Sequence, residues 1–490
     1  MRKAIKPKVN REDFTNTLNE DQLEVFNALE EFCKPGNDEI LICIQGYAGT
    51  GKTYVITKFF EYHIKKPNDA VCLTAPTNKA VGILKTSTSK EIKNLLSFET
   101  IHKILGIKAQ INKDGKEIFT KSNEYDEIGF YKYLVIDEVS MLDDELFFAL
   151  LKAIDHPNYK PKRNRKTKVI FMGDPKQIPP VNKVDCEPFL NPDKYGIKTY
   201  SLEQIMRQKD GNKIIEASYY VRENILAKFI DFNPFHKEGQ LNVINTSYAK
   251  NRTELAEEFE KVFSSEDFKL NPNSIKAIAW RNIKVDHYND FIRKIYFGQK
   301  DLDVYMVNEA LICNTPIFEG KDIVMSNSQE MVVKRVVERE MSVEIKLSHL
   351  RNKINPINVS GWNLLVEYMD SDIEKLREYE LQVINPDDKS KLQSLLNLVA
   401  DHAKACQSPF IKKLMWTEFY RIKHLFADVT YAYAITAHKS QGSTYNKVYV
   451  DVVDINHNNN VVERNRIIYT AITRASQEAT IITNNGIIEF

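Results

Sequence analysis

Residues 46–53, GYAGTGKT, place three glycines ahead of a lysine and a threonine. With so few side chains, successive backbone N–H groups can turn inward as a nest for an anion. The stretch fits G-x-x-x-x-G-K-[ST] in full, a pattern that cradles nucleotide phosphates when a strand leads in and a helix leads out. Gly46, Ala48, Gly49, Thr50 and Gly51 then supply backbone, and Lys52 reaches the β- and γ-phosphates. The Thr53 hydroxyl is a ligand for Mg²⁺, which favours oxygen and phosphate partners. A second pair, Asp137 and Glu138 in VIDEVS, ends an apolar run. Adjacent carboxylates there are costly unless a cation stands nearby. Beside the glycine loop, Asp137 would hold Mg²⁺ through its water shell, and Glu138 would orient and deprotonate a water. The structural alternative is an ion pair at a strand end. Hydrolysis also needs charge stabilisation at the γ-phosphate, and Gln177 in GDPKQIPP is a neutral group suited to sensing it.

These residues need elements to hold them. ILICIQ (40–45) is a short apolar strand that runs into the glycines, and TYVITKFFEYHIKK (53–66) follows with helical spacing. AVCLTAP (70–76), YLVIDE (133–138) and TKVIFMGD (167–174) read as further strands, each ending in polar or turn residues. Strands alternating with helical segments indicate an α/β protein with a parallel sheet, which binds ligands at its carboxyl edge. The glycine loop, the acidic pair and GDPKQ all fall at such ends. SIKAIAWRN (274–282) and NKVYVDVV (446–453) give a second α/β domain. Asp114-Gly115 between alternating residues reads as a β-hairpin. KRVVEREMSVEIKL and WNLLVEYMD alternate like antiparallel strands, while DKSKLQSLLNLVADHAKA is helical, so about 330–425 reads as an insertion.

At 490 residues the chain has room for two to four domains. Apolar residues make up 43% and charged residues 28%, as in a globular protein with real cores. No apolar run reaches the ~18–20 residues that span a bilayer, and MRKAIKPKVNRED lacks the apolar stretch of a secretory signal. The six cysteines are scattered without a CxxC pair, which argues against a zinc site or disulfide framework. Reduced thiols point to a reducing, cytoplasmic compartment. With 68 basic against 67 acidic residues, a nucleic-acid binder must cluster its charge locally. KPKRNRKTK (160–168) is one such cluster, or else a solvated loop.

The order GYAGTGKT, LTAPTNKA, VIDEVS, GDPKQIPPV, LEQIMRQ, ITAHKSQGSTY, YTAITRAS resembles the superfamily 1 helicases, and within them the RecD-like 5′→3′ branch, superfamily 1B, of the Dda type found in T-even phages. The resemblance runs from Gln22 to Arg474. It implies two RecA-like P-loop NTPase domains with ATP between them and single-stranded DNA across their top. The implied limits are 1–205 for the ATP-binding domain, with a hairpin subdomain at 104–130, and 206–334 plus 426–490 for the second. An SH3-like and helical insertion takes 335–425. Gln22 would contact the adenine, Gln441 and Gly442 would border the nucleotide, and Arg207 and Arg474 would reach the γ-phosphate from the second domain. Arginines in that role supply transition-state charge.

The resemblance also implies a strand path. Thr77, Asn78, Lys79, Thr100 and His102 would contact DNA from the first domain, and Thr436, His438, Lys439 and Ser440 from the second. Hydroxyls, amides and backbone N–H groups suit phosphate contact without sequence readout. The Dda-type pattern has histidine where this chain has Asn78, a departure that bears on base stacking there. His102 and His438 have a second reading as satisfied core histidines. The hairpin at 108–121 matches the family's separation pin, with Phe119 as an apolar wedge or as a hairpin core residue. Trp416 and Tyr420 match aromatics near the strand, where stacking is worth roughly 1–3 kcal/mol per base. Their i, i+4 spacing suits helix packing equally.

The function so implied is an ATP-dependent 5′→3′ DNA helicase that translocates on single strands and unwinds duplex or forked DNA with ATP and Mg²⁺. It would act as a monomer off the membrane, with single-strand-binding or replisome proteins as partners. Replication, recombination and repair are the processes such enzymes serve. A phage origin would place the chain in host-cell cytoplasm. An RNA or broad-specificity helicase, or a non-motor ATPase subunit of a repair complex, fits the same motifs. A nuclease is disfavoured, since no appended acidic cluster would carry two metals.

Overall fold

The computed structural model describes residues 11–64, 70–111, 117–121, 127–154, 167–180, 183–204, 212–235, 239–319, 322–370 and 375–484, with backbone alone for 13–14, 108–111, 117–121 and 322–323. The first lobe supplies β1 (Leu41–Gly46), β2 (Val71–Ala75), β3 (Leu96–Thr100), β4 (Ile107–Ile111), β5 (Glu117–Lys121), β6 (Tyr133–Ile136), β7 (Lys168–Gly173) and β8 (Lys198–Leu202). Six of these form a parallel sheet in the order β3-β2-β6-β7-β1-β8. The central strands β1, β2, β6 and β7 are near-continuous apolar runs because helices cover both faces. Three helices matter to the site: α1 (Glu20–Cys33), α2 (Lys52–His63) and α3 (Asn78–Ser87). Phe26 of α1 and Phe59 of α2 meet edge to face, fully buried, and each such ring contributes about 1.5–3 kcal/mol by burial. The strands β4 and β5 pair antiparallel as the expected hairpin, Ala109 opposite Phe119. The hairpin turn lies outside the described residues, as does nearly all of the basic KPKRNRKTK segment.

The second lobe opens with helix α4 (Lys213–Glu223), β9 (Leu241–Asn245) and β10 (Ile275–Ala279). The chain then leaves it for β11 (Ala310–Cys313), the short hairpin β12 (Ile317–Glu319) and β13 (Asp322–Met325), and the long strands β14 (Glu330–Val343), β15 (Ile357–Asp370) and β16 (Lys375–Ile384). Helices α5 (Lys389–Ala405) and α6 (Pro409–Lys423) pack as a pair before β17 (Val429–Tyr431). The chain returns with β18 (Ala434–Thr436), β19 (Tyr445–Asp451), α7 (Val461–Ile472) and β20 (Ala475–Thr483). The returning strands and the first two complete a parallel sheet, β18-β10-β19-β20-β9. The excursion forms an antiparallel sheet, β16-β15-β14-β11-β17. The protein is thus an α/β fold of two parallel RecA-like sheets with an SH3-like antiparallel sheet. Two strands of the inserted sheet, β11 and β17, lie outside the 335–425 limits expected from sequence, because they are short and continuous in sequence with the second lobe.

None of the six cysteines is in a disulfide, and five are buried. Among the described residues no helix is long and apolar enough to cross a membrane.

Candidate nucleotide and strand-binding site

Three neighbouring strands, β6, β7 and β1, deliver the chemistry to one sheet edge. β1 must end in glycine. A Cβ at Gly46 would meet Thr50 Oγ1 at 2.7 Å and the Leu202 Cβ at 3.0 Å. The loop then turns through Gly49 and Gly51, both near φ +85°, backbone that glycine alone adopts readily. Thr50, fully buried, ties the loop to itself by donating to the Tyr47 carbonyl at 2.9 Å. Gln22 braces it from α1. Its Nε2 donates to the Thr50 carbonyl at 3.2 Å, while its Oε1 closes a capping box with Asn19. Lys52 opens α2, and its ammonium donates to the Gly46 and Tyr47 carbonyls at 2.5 and 3.0 Å. It can exchange those neutral acceptors for charged phosphate oxygens.

Asp137 and Glu138 follow β6. Glu138 sits in the left-handed region, φ 52° and ψ 42°, a strained conformation for a side-chain-bearing residue. Asp137 holds it there, one carboxylate oxygen accepting the Glu138 N–H at 2.8 Å. Burial, then the Glu138 charge, push the Asp137 carboxyl up to about 6, while Lys52, the Glu138 N–H and the Thr53 hydroxyl pull it down. A divalent cation between Thr53 and Asp137 would supply the charge this carboxyl lacks. Among the described residues no group of three His, Cys, Asp or Glu side chains converges into a cation cage. A Mg²⁺ here would therefore take Thr53 and Asp137 and leave its other positions to water and phosphate.

Past β7, Gln177 is buried, and its Oε1 has no hydrogen-bond partner among the described residues. The second lobe grips this segment at both ends. The Tyr469 hydroxyl of α7 donates to Asp174 Oδ2 at 2.6 Å and accepts the Ala48 N–H of the glycine loop at 3.3 Å. The Thr470 hydroxyl accepts the Ile178 N–H at 3.3 Å, and Gln441 Nε2 donates to the Ile178 carbonyl at 3.0 Å. Gln441 therefore reaches the Gln177 segment rather than the glycine loop. Beside it, a Cβ at Gly442 (φ +67°) would lie 3.7 Å from the Ala80 Cβ of α3, so the lobes touch here.

Sequence reasoning missed Tyr469, Asp174 and Arg222. The first two lie within YTAITRAS and GDPKQ, which single them out by position. The Arg222 guanidinium of α4 lies over the Tyr47 ring, 3.5 Å from its centroid, with no motif to announce it. Arg474 is buried within its own lobe, donating to the Thr470 and Ser443 carbonyls at 3.0 and 3.2 Å and to the Thr473 hydroxyl at 3.0 Å. Arg207 lies outside the described residues.

The strand-path residues divide. Thr77, Thr100 and Thr436 each end a strand connection and cap a helix, accepting the N–H of Ala80, Lys103 and Lys439. Thr100 and Thr436 share φ −73° and ψ 152°, so TIHK and TAHK are one device built once in each lobe. Asn78 begins α3 and is half-buried. His102 and His438 are half-buried, and burial lowers both imidazole pKa values against Asp143 and Glu463 respectively. His102 also borders a cavity of about 140 Å³ with Leu105 and Asp143. Lys439 Nζ donates to Asn314 at 2.5 Å.

Four of the expected strand-path residues have partners within the protein. The Lys79 ammonium pairs with Glu330 at 2.7 Å. Ser440 is fully buried and its hydroxyl donates to the Ala437 carbonyl at 2.7 Å. Trp416 is only 4% exposed, packed in the α5–α6 core against Phe419, and Tyr420 is 9% exposed. The Phe119 side chain lies outside the described atoms. A groove of about 850 Å³ between the second lobe and the inserted sheet, lined by Tyr296, Tyr305 and Trp362, contains none of the expected site residues.

Comparison with known proteins divides the chain in the same order. Residues 17–246 match a family model described as an AAA domain, 303–430 one described as a Dda helicase SH3 domain, and 431–482 one described as a UvrD-like helicase C-terminal domain. The chain is similar to the uncharacterized protein R530 of Acanthamoeba polyphaga mimivirus, 29% identical over 92% of this chain and 97% of that one. It is 27% identical to the ATP-dependent DNA helicase dda of Enterobacteria phage T4, over 93% and 97%. The RecBCD enzyme subunit RecD of Buchnera aphidicola subsp. Schizaphis graminum is 26% identical, over 91% and 71%. With the glycine loop, the acidic pair and a Dda-type SH3 domain in one order along one chain, the protein is a homologue of the RecD/Dda-type helicases over nearly its whole length.

Proposed function

We propose that the chain is an ATP-dependent DNA helicase that moves 5′→3′ along a single strand and parts duplex at a fork. The observation that carries this is the junction of the lobes at the glycine loop. Ala48, Asp174 and Ile178, on the sheet edge that carries Lys52, Asp137 and Glu138, meet Tyr469, Thr470 and Gln441 of the second lobe, so a nucleotide bound there bears directly on how the lobes sit. In this reading Mg²⁺ offsets phosphate charge at Thr53 and Asp137, and Glu138 takes a proton from the attacking water. Gln177 holds its unpaired Oε1 for that water. Repeated closing and opening move the paired caps at Thr100 and Thr436 against each other, which turns hydrolysis into steps along a strand.

The test is steady-state ATP hydrolysis by wild type and Glu138→Gln, with and without unstructured DNA or RNA oligonucleotides, followed by unwinding of forks with a 5′ or a 3′ tail. The expected result is strong stimulation by DNA, a loss of at least about 100-fold in the variant, and unwinding from the 5′ tail alone. Equal stimulation by RNA would point to a broad-specificity helicase. Hydrolysis indifferent to any strand would overturn the motor reading.

A further inference from the structure

The second lobe reaches the glycine loop with an arginine that no motif marks. Arg222 ends α4, and α4 packs against α7, the helix of Tyr469, through Ala217, Val221, Ile467 and Ile468. Asn465 of α7 fastens the join by donating to the Ile225 and Ala227 carbonyls at 2.9 and 2.8 Å. Arg222 therefore moves with the second lobe, while the ring it covers, Tyr47, belongs to the first. Its guanidinium lies between two tyrosines, 3.5 Å from the Tyr47 ring and 4.3 Å from that of Tyr219. Such a sandwich fixes the plane of a guanidinium, which an ammonium cannot imitate.

The charge on Arg222 is incompletely matched. The residue is 7% exposed, yet its ionic partner is Glu223, the adjacent residue, whose side chain is 51% exposed. Nε and Nη2 both serve that carboxylate, and Nη1 meets no acceptor among the described residues. A guanidinium held by one exposed carboxylate, with its Nη1 edge left to solvent, can take a further anion. It stands against the second residue of a loop whose remaining backbone forms an anion nest. Two further arginines of the second lobe near this junction are engaged elsewhere: Arg474 spends its donors inside its own lobe, and Arg466 donates to the Val184 carbonyl and Asp185 at 3.0 Å each.

We infer that Arg222 is a nucleotide-contacting residue, delivered by the second lobe and oriented by Tyr47 and Tyr219, whose Nη1 edge pairs with phosphate oxygens of the bound triphosphate. This rests on the ATPase reading above. Closure of the lobes would carry Arg222 from the Tyr47 face toward the phosphates, so that one side chain both neutralises charge and reports closure.

The experiment compares wild type, Arg222→Lys, Arg222→Gln, Tyr47→Ala and the Tyr47→Ala/Arg222→Gln double variant. Each is measured for hydrolysis with saturating oligo(dT), for affinity toward fluorescent ATP and ADP analogues, and for thermal midpoint. A transition-state arginine is worth ~10³–10⁵ in kcat, so Arg222→Gln should lower kcat/KM at least about 100-fold. Arg222→Lys should restore less than a tenth of that loss, with the midpoint kept in both. The double variant should lose little beyond Arg222→Gln, because the ring acts through the arginine. Preference for the ATP analogue over ADP should shrink. Wild-type kcat and KM in both Arg222 variants would overturn the inference, as would full rescue by lysine. A wild-type enzyme without strand-stimulated hydrolysis would instead overturn the function on which it rests.

Discussion

Asp137 is a residue whose ionisation the site disturbs. Its carboxyl titrates near 6 because burial and Glu138 oppose its charge more strongly than Lys52 favours it. A raised carboxyl pKa has a definite sign. The folded state holds a proton between the ordinary carboxylate value and about 6 that the unfolded state has already lost, so stability falls as pH rises through that window. Asp137→Asn should therefore raise the melting temperature of the nucleotide-free protein at pH 8 and leave it nearly unchanged near pH 4, by calorimetry. A variant less stable than wild type at pH 8 would contradict this account of the charge. Tyr469 makes a different residue-scale prediction. Its hydroxyl serves Asp174 and the Ala48 N–H together, and burial with the Asp174 charge holds its phenol well above the ordinary value, so it stays a donor. Tyr469→Phe removes that one oxygen and strands a buried carboxylate contact worth about 1.5–3 kcal/mol. Hydrolysis with DNA should slow about 10- to 100-fold while ATP binding by equilibrium titration changes little. An unchanged rate would show that the contact does not bear on the reaction.

Among elements, legibility in the sequence followed position in the sheet. The strands read directly, β1, β2, β6 and β7, are interior strands of the first sheet and carry unbroken apolar runs. Those left unread include the four edges of the two parallel sheets, β3, β8, β9 and β18. An edge strand has one neighbour and partial solvent contact, so LSFET, KTYSL and LNVIN mix polar residues into the pattern. The unread interior strand of the two parallel sheets, β20, hides behind the polar start ASQE. The glycine loop and acidic pair were legible because their chemistry is local. Arg222 and Tyr469 were not, because each acquires its partner only when two lobes meet. The long strands β14 and β15 were legible from alternation, yet what fixes their crossing with β16 is Gly361. A Cβ there would fall 2.2 Å from the Val383 carbonyl and 2.6 Å from Met341 Cε. A backbone oxygen cannot move aside as a side chain can, so Gly361→Ala must break local pairing. It should lower unfolding stability by about 1–3 kcal/mol or more in urea titration, and a neutral outcome would mean the β15–β16 register is wrong.

At the scale of the whole molecule, one carboxylate joins all three bodies. Glu330 begins β14 of the inserted sheet. It pairs with Lys79 of the first lobe at 2.7 Å and Lys276 of the second at 2.9 Å, and it accepts from the Tyr445 hydroxyl at 3.0 Å. Burial alone would raise its pKa, but Lys276 and Lys79 outweigh it and hold the carboxyl down to about 2. The stabilisation is therefore complete above the ordinary carboxylate range and lost as pH falls toward 2. Lys276 is fully buried, and burial lowers its own pKa despite the carboxylate. Glu330→Gln would leave it uncompensated, a change that costs about 3–5 kcal/mol, and the deficit should narrow toward pH 10 as Lys276 sheds its proton. Lys79 decides how this cluster relates to a bound strand. Were its ammonium to take a strand phosphate, Lys79→Ala would reduce the slope of log affinity against log salt by about 0.7 for a single strand. Its commitment to Glu330 predicts instead that the slope for oligo(dT), measured by fluorescence anisotropy, stays at the wild-type value while thermal stability falls. A slope reduced by that amount would mean that binding pulls Lys79 from Glu330, and that the strand is gripped by loosening the three bodies from one another.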